Sequence, residues 1–282
     1  MKVFNLFDLR DQIDILDVGA AAINEEPIYK KILDMNIAHL TAIDGDSRHA
    51  KKIQDLYRDQ SANFHDCFLF DGKRHNVHVC AQNSGMTSLY KPNKKALEFF
   101  NGFEKFGRVE AIVSVQTTRL DEFEHIDSVD FLKMDTQGAE LEIIKNGRVK
   151  LQNCLAMQLE VSYFSLYENQ PTFGEVDTYL RTIGFLPHRF LSNKRWSIAP
   201  TIFNNDYRFP GNQLLEADVI YLRNPLQLEE LTDNQLKKLV VMAHFLFESP
   251  DLCVRILIEM EQRKIIERHD HNKYISNIEK FS

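Results

Sequence analysis

Apolar runs of strand length alternate with helical stretches from the start of the chain. Residues 13–18 form such a run and end in Gly19-Ala20. A helical stretch follows from about Asn24 to Met35, with Ile28, Ile32 and Met35 at helical spacing and Asn24 as its N-cap. A second run, residues 39–43, ends in Asp44-Gly45-Asp46 and leads into a charged helix over residues 47–59. Strand, helix and strand in this order predict a βαβ unit. Residues 61–90 alternate more strictly, and Asp71-Gly72 between strand-like runs predicts a hairpin. Residues 91–107 carry Phe99, Phe100, Phe103 and Phe106, for which helical core packing is favoured over a lid.

The parallel pattern then resumes. Residues 129–134 run into Asp135, and the helix after them stops at Gly147. Residues 154–161 form another strand, and the next helix places Phe173, Val176, Leu180 and Ile183 on one face before Gly184. Residues 185–190 and 218–222 read as the last two strands, paired antiparallel at the sheet edge across a polar loop. From Leu226 the pattern is helical, with Thr232 and Gln235 as a capping box and Ser249-Pro250 opening a second helix. The pattern predicts a doubly wound α/β domain over residues 1–225 and a helical extension over residues 226–282.

Composition narrows the picture. Of 282 residues, 44% are hydrophobic and 27% charged, enough apolar material for a large core. A net charge of −7 argues against general affinity for nucleic acid or anionic membranes, so neither is expected as a partner. No apolar run approaches the ~20 residues of a membrane span, and the N-terminus lacks a signal-peptide core, so a cytoplasmic location is expected. Cys67, Cys80, Cys154 and Cys253 are far apart with no CxxC spacing, and the first three lie in or beside apolar runs. They read as small buried hydrophobes, and no metal is assigned.

In open α/β sheets ligands bind beyond the carboxyl ends of the strands. Asp17-Val18-Gly19-Ala20-Ala21-Ala22 at the first strand end is not a GxGxxG turn. Dinucleotides need several glycines so that backbone amides reach the pyrophosphate, whereas a cofactor without phosphate needs less. Asp44, at the second strand end, is placed to accept hydrogen bonds from ribose hydroxyls. These two features alone also match other Rossmann-like proteins.

The segment Asp130-Phe131-Leu132-Lys133-Met134-Asp135-Thr136-Gln137-Gly138-Ala139-Glu140-Leu141 is more specific. It closely resembles the D-F-L-K-x-D-x-Q-G-x-E-L signature of FkbM-type methyltransferases. Residues 15–20 resemble the nucleotide turn of that family, and residues 83–93 its S-S-L-x-x-P-N loop. Thr117-Thr118-Arg119-Leu120-Asp121 resembles its T-x-x-L-D strand, and residues 159–171 its E-V…L-Y-x-x-Q-P stretch. Two departures stand out. Ile43-Asp44-Gly45 occupies the place of F-E-P, and Thr87-Ser88-Leu89 that of S-S-L.

The resemblance implies a class I methyltransferase sheet with its last strand antiparallel, and S-adenosylmethionine (AdoMet) as methyl donor. The acceptor is then a small molecule or glycan, most often through a hydroxyl of a sugar, lipid or secondary metabolite. Asp17, Gly19, Ala20, Asp44, Gly45, Ser88 and Asp135 become the candidate cofactor-binding residues. Asp135 and Glu160, at matching strand ends, become the candidate catalytic pair. Positioning of the acceptor can supply roughly 7–11 kcal/mol, against about 10²–10⁴-fold in rate from a general base, so even a weak base suffices.

Each assignment has a plainer rival. Asp135 can cap the following helix, Glu160 can pair with a buried cation, and Thr87 and Ser88 can stabilise a turn. Gln137 can bond substrate or backbone, Glu140 suits the positive end of its helix, and His188 reads as structural. At the level of function the rivals are a non-catalytic AdoMet-binding protein and an NAD-linked oxidoreductase.

Overall fold

The computed structural model describes residues 9, 11–20, 26–81 and 84–278. Its central sheet contains β1 (Ile13–Val18), β2 (Ala38–Ile43), β3 (Ala62–His65), β7 (Phe131–Met134), β8 (Ala156–Ser162), β9 (Phe185–Phe190) and β11 (Gln213–Arg223). The order is β3-β2-β1-β7-β8-β11-β9, with β11 antiparallel to both of its neighbours and the others running in parallel. This is the expected class I sheet with its antiparallel last strand. One strand is additional: β10 (Lys194–Trp196) pairs with the first part of β11, inside what the sequence presented as a polar loop.

Side-chain alternation divides the core between the two faces. On β1, Ile13 and Ile15 point to one layer and Leu16 and Val18 to the other. The first layer holds α1 (Lys30–Asp34) and the C-terminal helices α7 (Asp233–Phe245), α8 (Pro250–Gln262) and α9 (Asp270–Ile278). The second holds α5 (Glu140–Lys145) and α6 (Phe173–Thr182). β8 is buried along its whole length, as a strand covered on both faces must be. Thr232 and Gln235 form the predicted capping box of α7, and Pro250 opens α8. The ammonium of Lys238 on α7 reaches the sheet and pairs with Asp130 at 2.5 Å.

Local differences from the sequence pattern have physical causes. α1 begins at Lys30, and residues 26–29 are not helical, because Pro27 disfavours a helical conformation at Glu26 and starts a turn closed by Lys30 N–H on its carbonyl. Asn24 lies outside the described residues. The charged helix α2 (Ser47–Leu56) is capped by Asp46. Asp71-Gly72 does turn the chain, with Gly72 at φ +82°. The strands it joins, β4 (Phe68–Leu69) and β5 (Arg74–Cys80), do not pair with each other, because β6 (Val109–Thr118) lies between them. The four phenylalanines sit on and between α3 (Lys94–Phe99) and α4 (Phe103–Phe106), in a third core with Phe164 and Trp196. Cys80, Cys154 and Cys253 are buried, Cys67 is half-buried, and all four are free thiols.

Candidate active site

The ends of β1, β2, β7 and β8 open into one cavity of about 1150 Å³. That exceeds the ~300–1,000 Å³ of ordinary small-molecule pockets and leaves room for two ligands side by side. Its wall includes Asp17, Gly19 and Ala20 after β1, and Asp44 and Gly45 after β2. Asp135 follows β7, Glu160 projects from β8, and Ser88 comes from the loop before α3. Every candidate residue therefore reaches the same space.

Gly19 sits where the tips of β1 and β7 approach closely. Its φ is +76°, and a Cβ there would lie 1.9 Å from the carbonyl oxygen of Asp135. Gly19 and Ala20 direct their N–H groups to Ile43 O, binding this turn to the end of β2. Beneath it, Asp17 faces Lys133 in register across β1 and β7, and the ammonium lies 3.0 Å from Asp17 Oδ1. The Tyr29 hydroxyl donates to the other oxygen and lies 3.1 Å from the Tyr57 hydroxyl. Burial lowers the Lys133 pKa, but Asp17 and Asp135 outweigh it, and the ammonium is held above its usual range. Burial and then Asp17 hold the Tyr29 hydroxyl well above its own. The carboxylate of Asp17 thus ties the end of β1 to Lys133 of β7 and to Tyr29.

Asp44 caps its own turn through Asp46 N–H at 2.7 Å and lies 3.3 Å from His49 Nδ1, which raises the pKa of that imidazole. A side chain at position 45 would meet the ring of Phe68 at 2.5 Å. This contact explains the glycine where the family pattern carries proline. The departure keeps an acid at the tip of β2 and trades a rigid turn for an aromatic wall.

The other end of the cavity is organised by Gln137. Its amide nitrogen donates to Asp135 Oδ1 at 2.7 Å and to Glu160 Oε2 at 2.8 Å. The Tyr167 hydroxyl donates to Gln137 Oε1 at 2.9 Å, and the Ser88 hydroxyl donates to Gln137 O at 2.8 Å. Lys194 of β10 bridges Glu160 Oε1 at 3.0 Å and Glu216 of β11 at 2.7 Å. Burial pushes the Glu160 carboxyl well above the usual range, helped by Asp135, Glu216 and Asp218 and opposed by Lys194.

Several of the alternative roles are resolved by this geometry. Asp135 does not cap α5; Glu140 accepts from Thr136 N, Thr136 Oγ1 and Gly138 N instead. Burial raises the pKa of Glu140 to about 7. Glu160 pairs with Lys194, but that cation is exposed rather than buried. Ser88 also accepts from Tyr90 N, and Thr87 accepts from Cys80 N, so both hydroxyls stitch the loop. His188 lies 3.0 Å from Ser249 Oγ on the tail side of the sheet. Lys133 stood in the sequence as the lysine of the D-F-L-K signature, with no role assigned to it. Lys194, Glu216 and Trp196 carried no signal, because the pairing of β10 with β11 brings them to the cavity.

Residues 17–187 match the methyltransferase FkbM domain, more than half of the chain. The chain belongs to the FkbM methyltransferase family. No curated protein matches it significantly. Among solved structures it resembles precorrin-6y C5,15-methyltransferase from Geobacter metallireducens (9% identity, 78% of this chain and 86% of that one, TM-score 0.37). It also resembles magnesium protoporphyrin IX methyltransferase from Synechocystis (8%, 76% and 71%, TM-score 0.37). A third is fibrillarin from Aeropyrum pernix, solved with S-adenosyl-L-methionine (11%, 76% and 68%, TM-score 0.37). In this methyltransferase no helix among the described residues is long and apolar enough to cross a membrane.

Proposed function

We propose that this methyltransferase uses AdoMet and methylates a hydroxyl of a small molecule or glycan, with Asp135 and Glu160 as its proton-accepting pair. The observation that carries the reading is the convergence of these two carboxylates with the Gly19 turn and Asp44 on one cavity at the strand ends. The residues present suit AdoMet. Asp44 offers carboxylate oxygens to the ribose, Phe68 an apolar wall to the base, and the Gly19 and Ala20 turn a close approach for the amino-acid end. Asp17, at the end of β1 next to that turn, is held by Lys133 and Tyr29.

Bound AdoMet supplies a methyl group already activated by the sulfonium charge. The protein then has to hold the acceptor oxygen in line and take its proton. Positioning falls to the walls of the cavity, which include Trp196, Phe103 and Leu215. Exclusion of water by such walls strengthens the electrostatics of the site. Proton acceptance falls to Asp135 or Glu160, a contribution of about 10²–10⁴-fold.

Calorimetry with AdoMet tests the first half of the proposal, and absence of binding overturns it. Incubation of the protein with labelled AdoMet and cell extract, followed by mass spectrometry, tests the second by identifying a molecule that has gained one CH₂ unit on oxygen. Once an acceptor is in hand, near-wild-type turnover in both Asp135→Asn and Glu160→Gln, with AdoMet binding retained, would remove the carboxylates from the mechanism.

A further inference from the structure

Gln137 is held in place from three sides. Its backbone sits at φ +55°, a left-handed conformation that few side chains adopt without support. Ser88 secures its carbonyl and Tyr167 its side-chain oxygen. The amide has two N–H bonds, and the two carboxylates use one each. Reversing the amide would turn Oε1 toward two carboxylates and its NH₂ toward the tyrosine, so the network fixes which end faces the acids.

The consequences differ between the two acids. Glu160 has one oxygen on Gln137 and the other on Lys194. Asp135 has Oδ1 on Gln137, whereas Oδ2 has no hydrogen-bond partner among the described residues. Asp135 is also the exposed member of the pair, and Glu160 is buried.

We infer that Gln137 is a positioning residue that clamps Asp135 to Glu160 and leaves Oδ2 of Asp135 as the oxygen presented to the acceptor. The assignment rests on the proposed methyl-transfer site and refines it from two candidate acids to one. Glu160 and Lys194 then form the fixed wall behind the base. The groups facing Glu160 are Asp135 after β7, Lys194 on β10, Glu216 and Asp218 on β11, and Tyr167 in the loop after β8. Three of these are carboxylates, so the neutral N–H donors of Gln137 hold the pair together without adding charge.

The test reads the carboxyl groups directly and needs no acceptor. The side-chain carboxyl ¹³C shifts of Glu160 and Asp135 are titrated in the full chain, in wild type, Gln137→Met and Tyr167→Phe. Loss of an N–H donor disfavours the ionised form. A hydrogen bond to a charged group is worth enough to raise the Glu160 midpoint by about one pH unit in Gln137→Met. Tyr167→Phe, which frees the amide to turn, raises it by a smaller amount.

Midpoints within 0.2 of a unit of wild type in a folded Gln137→Met overturn the inference. If that variant fails to fold, an unchanged midpoint in Tyr167→Phe overturns it equally. Absence of AdoMet binding in wild type would instead strike at the proposed function, and the titration separates the two failures.

Discussion

Asp130 opens the family signature, yet its carboxylate does not face the cavity. It accepts from Asp14 N–H at 2.8 Å and pairs with Lys238 of the tail at 2.5 Å. Both side chains are about nine-tenths buried, at 10% and 8% exposure, so the pair is little screened by solvent. Lys238→Met keeps an unbranched apolar stem one atom shorter than the lysine and removes the ammonium. What remains is a buried carboxylate with one backbone donor, and stranding an ion in this way costs about 3–5 kcal/mol, against about 0–1 kcal/mol for an exposed pair. At about 2 °C per kcal/mol for a chain of this size, the melting temperature falls by about 6–10 °C. Equilibrium urea unfolding of Lys238→Met, Asp130→Asn and the double variant forms a mutant cycle. Asparagine keeps an acceptor for Asp14, so the double variant should recover much of the loss, with a coupling energy above about 2 kcal/mol. A loss below about 1 kcal/mol in Lys238→Met, with no coupling, would refute the claim that this pair locks the tail onto the sheet.

Three further outcomes follow from the geometry. Gly19→Ala forces a Cβ against the Asp135 carbonyl at a positive φ, so it should cost on the order of 1–3 kcal/mol in stability. It should also weaken AdoMet binding at least tenfold by calorimetry; unchanged affinity would separate this turn from the donor. Burial raises the Glu140 carboxyl from about 4.5 to about 7. The folded protein therefore holds this proton more tightly than the unfolded chain, and the stabilisation is complete below about pH 4.5 and lost as the pH rises through about 7. Between pH 5 and pH 8 the wild type should lose roughly 2.5 kcal/mol more than Glu140→Gln in urea unfolding, and parallel losses would exclude Glu140 as the source. Thr232→Ala removes the side-chain acceptor for Gln235 N–H and should cost about 1 kcal/mol in the same assay.

Period and punctuation along the chain determined the sheet, because strand-length runs, caps and glycine stops are local properties of the backbone. The capping box of α7, the Pro250 start of α8 and the span of β9 were all readable from neighbours a few residues apart. So were the strand-end positions of Gly19, Asp44, Asp135 and Glu160, since a parallel sheet brings its carboxyl ends to one side.

Only the tertiary structure decided what those residues touch. Register across β1 and β7 sets Lys133 against Asp17, and pairing of β10 with β11 delivers Lys194 to Glu160. Insertion of β6 between β4 and β5 displaced the hairpin that Asp71-Gly72 announced, because pairing energy depends on the partner strand as well as the turn. The placing of Asp130 under the tail and of Gln137 between two acids depends on contacts between distant segments, and spacing along one chain carries no information about them.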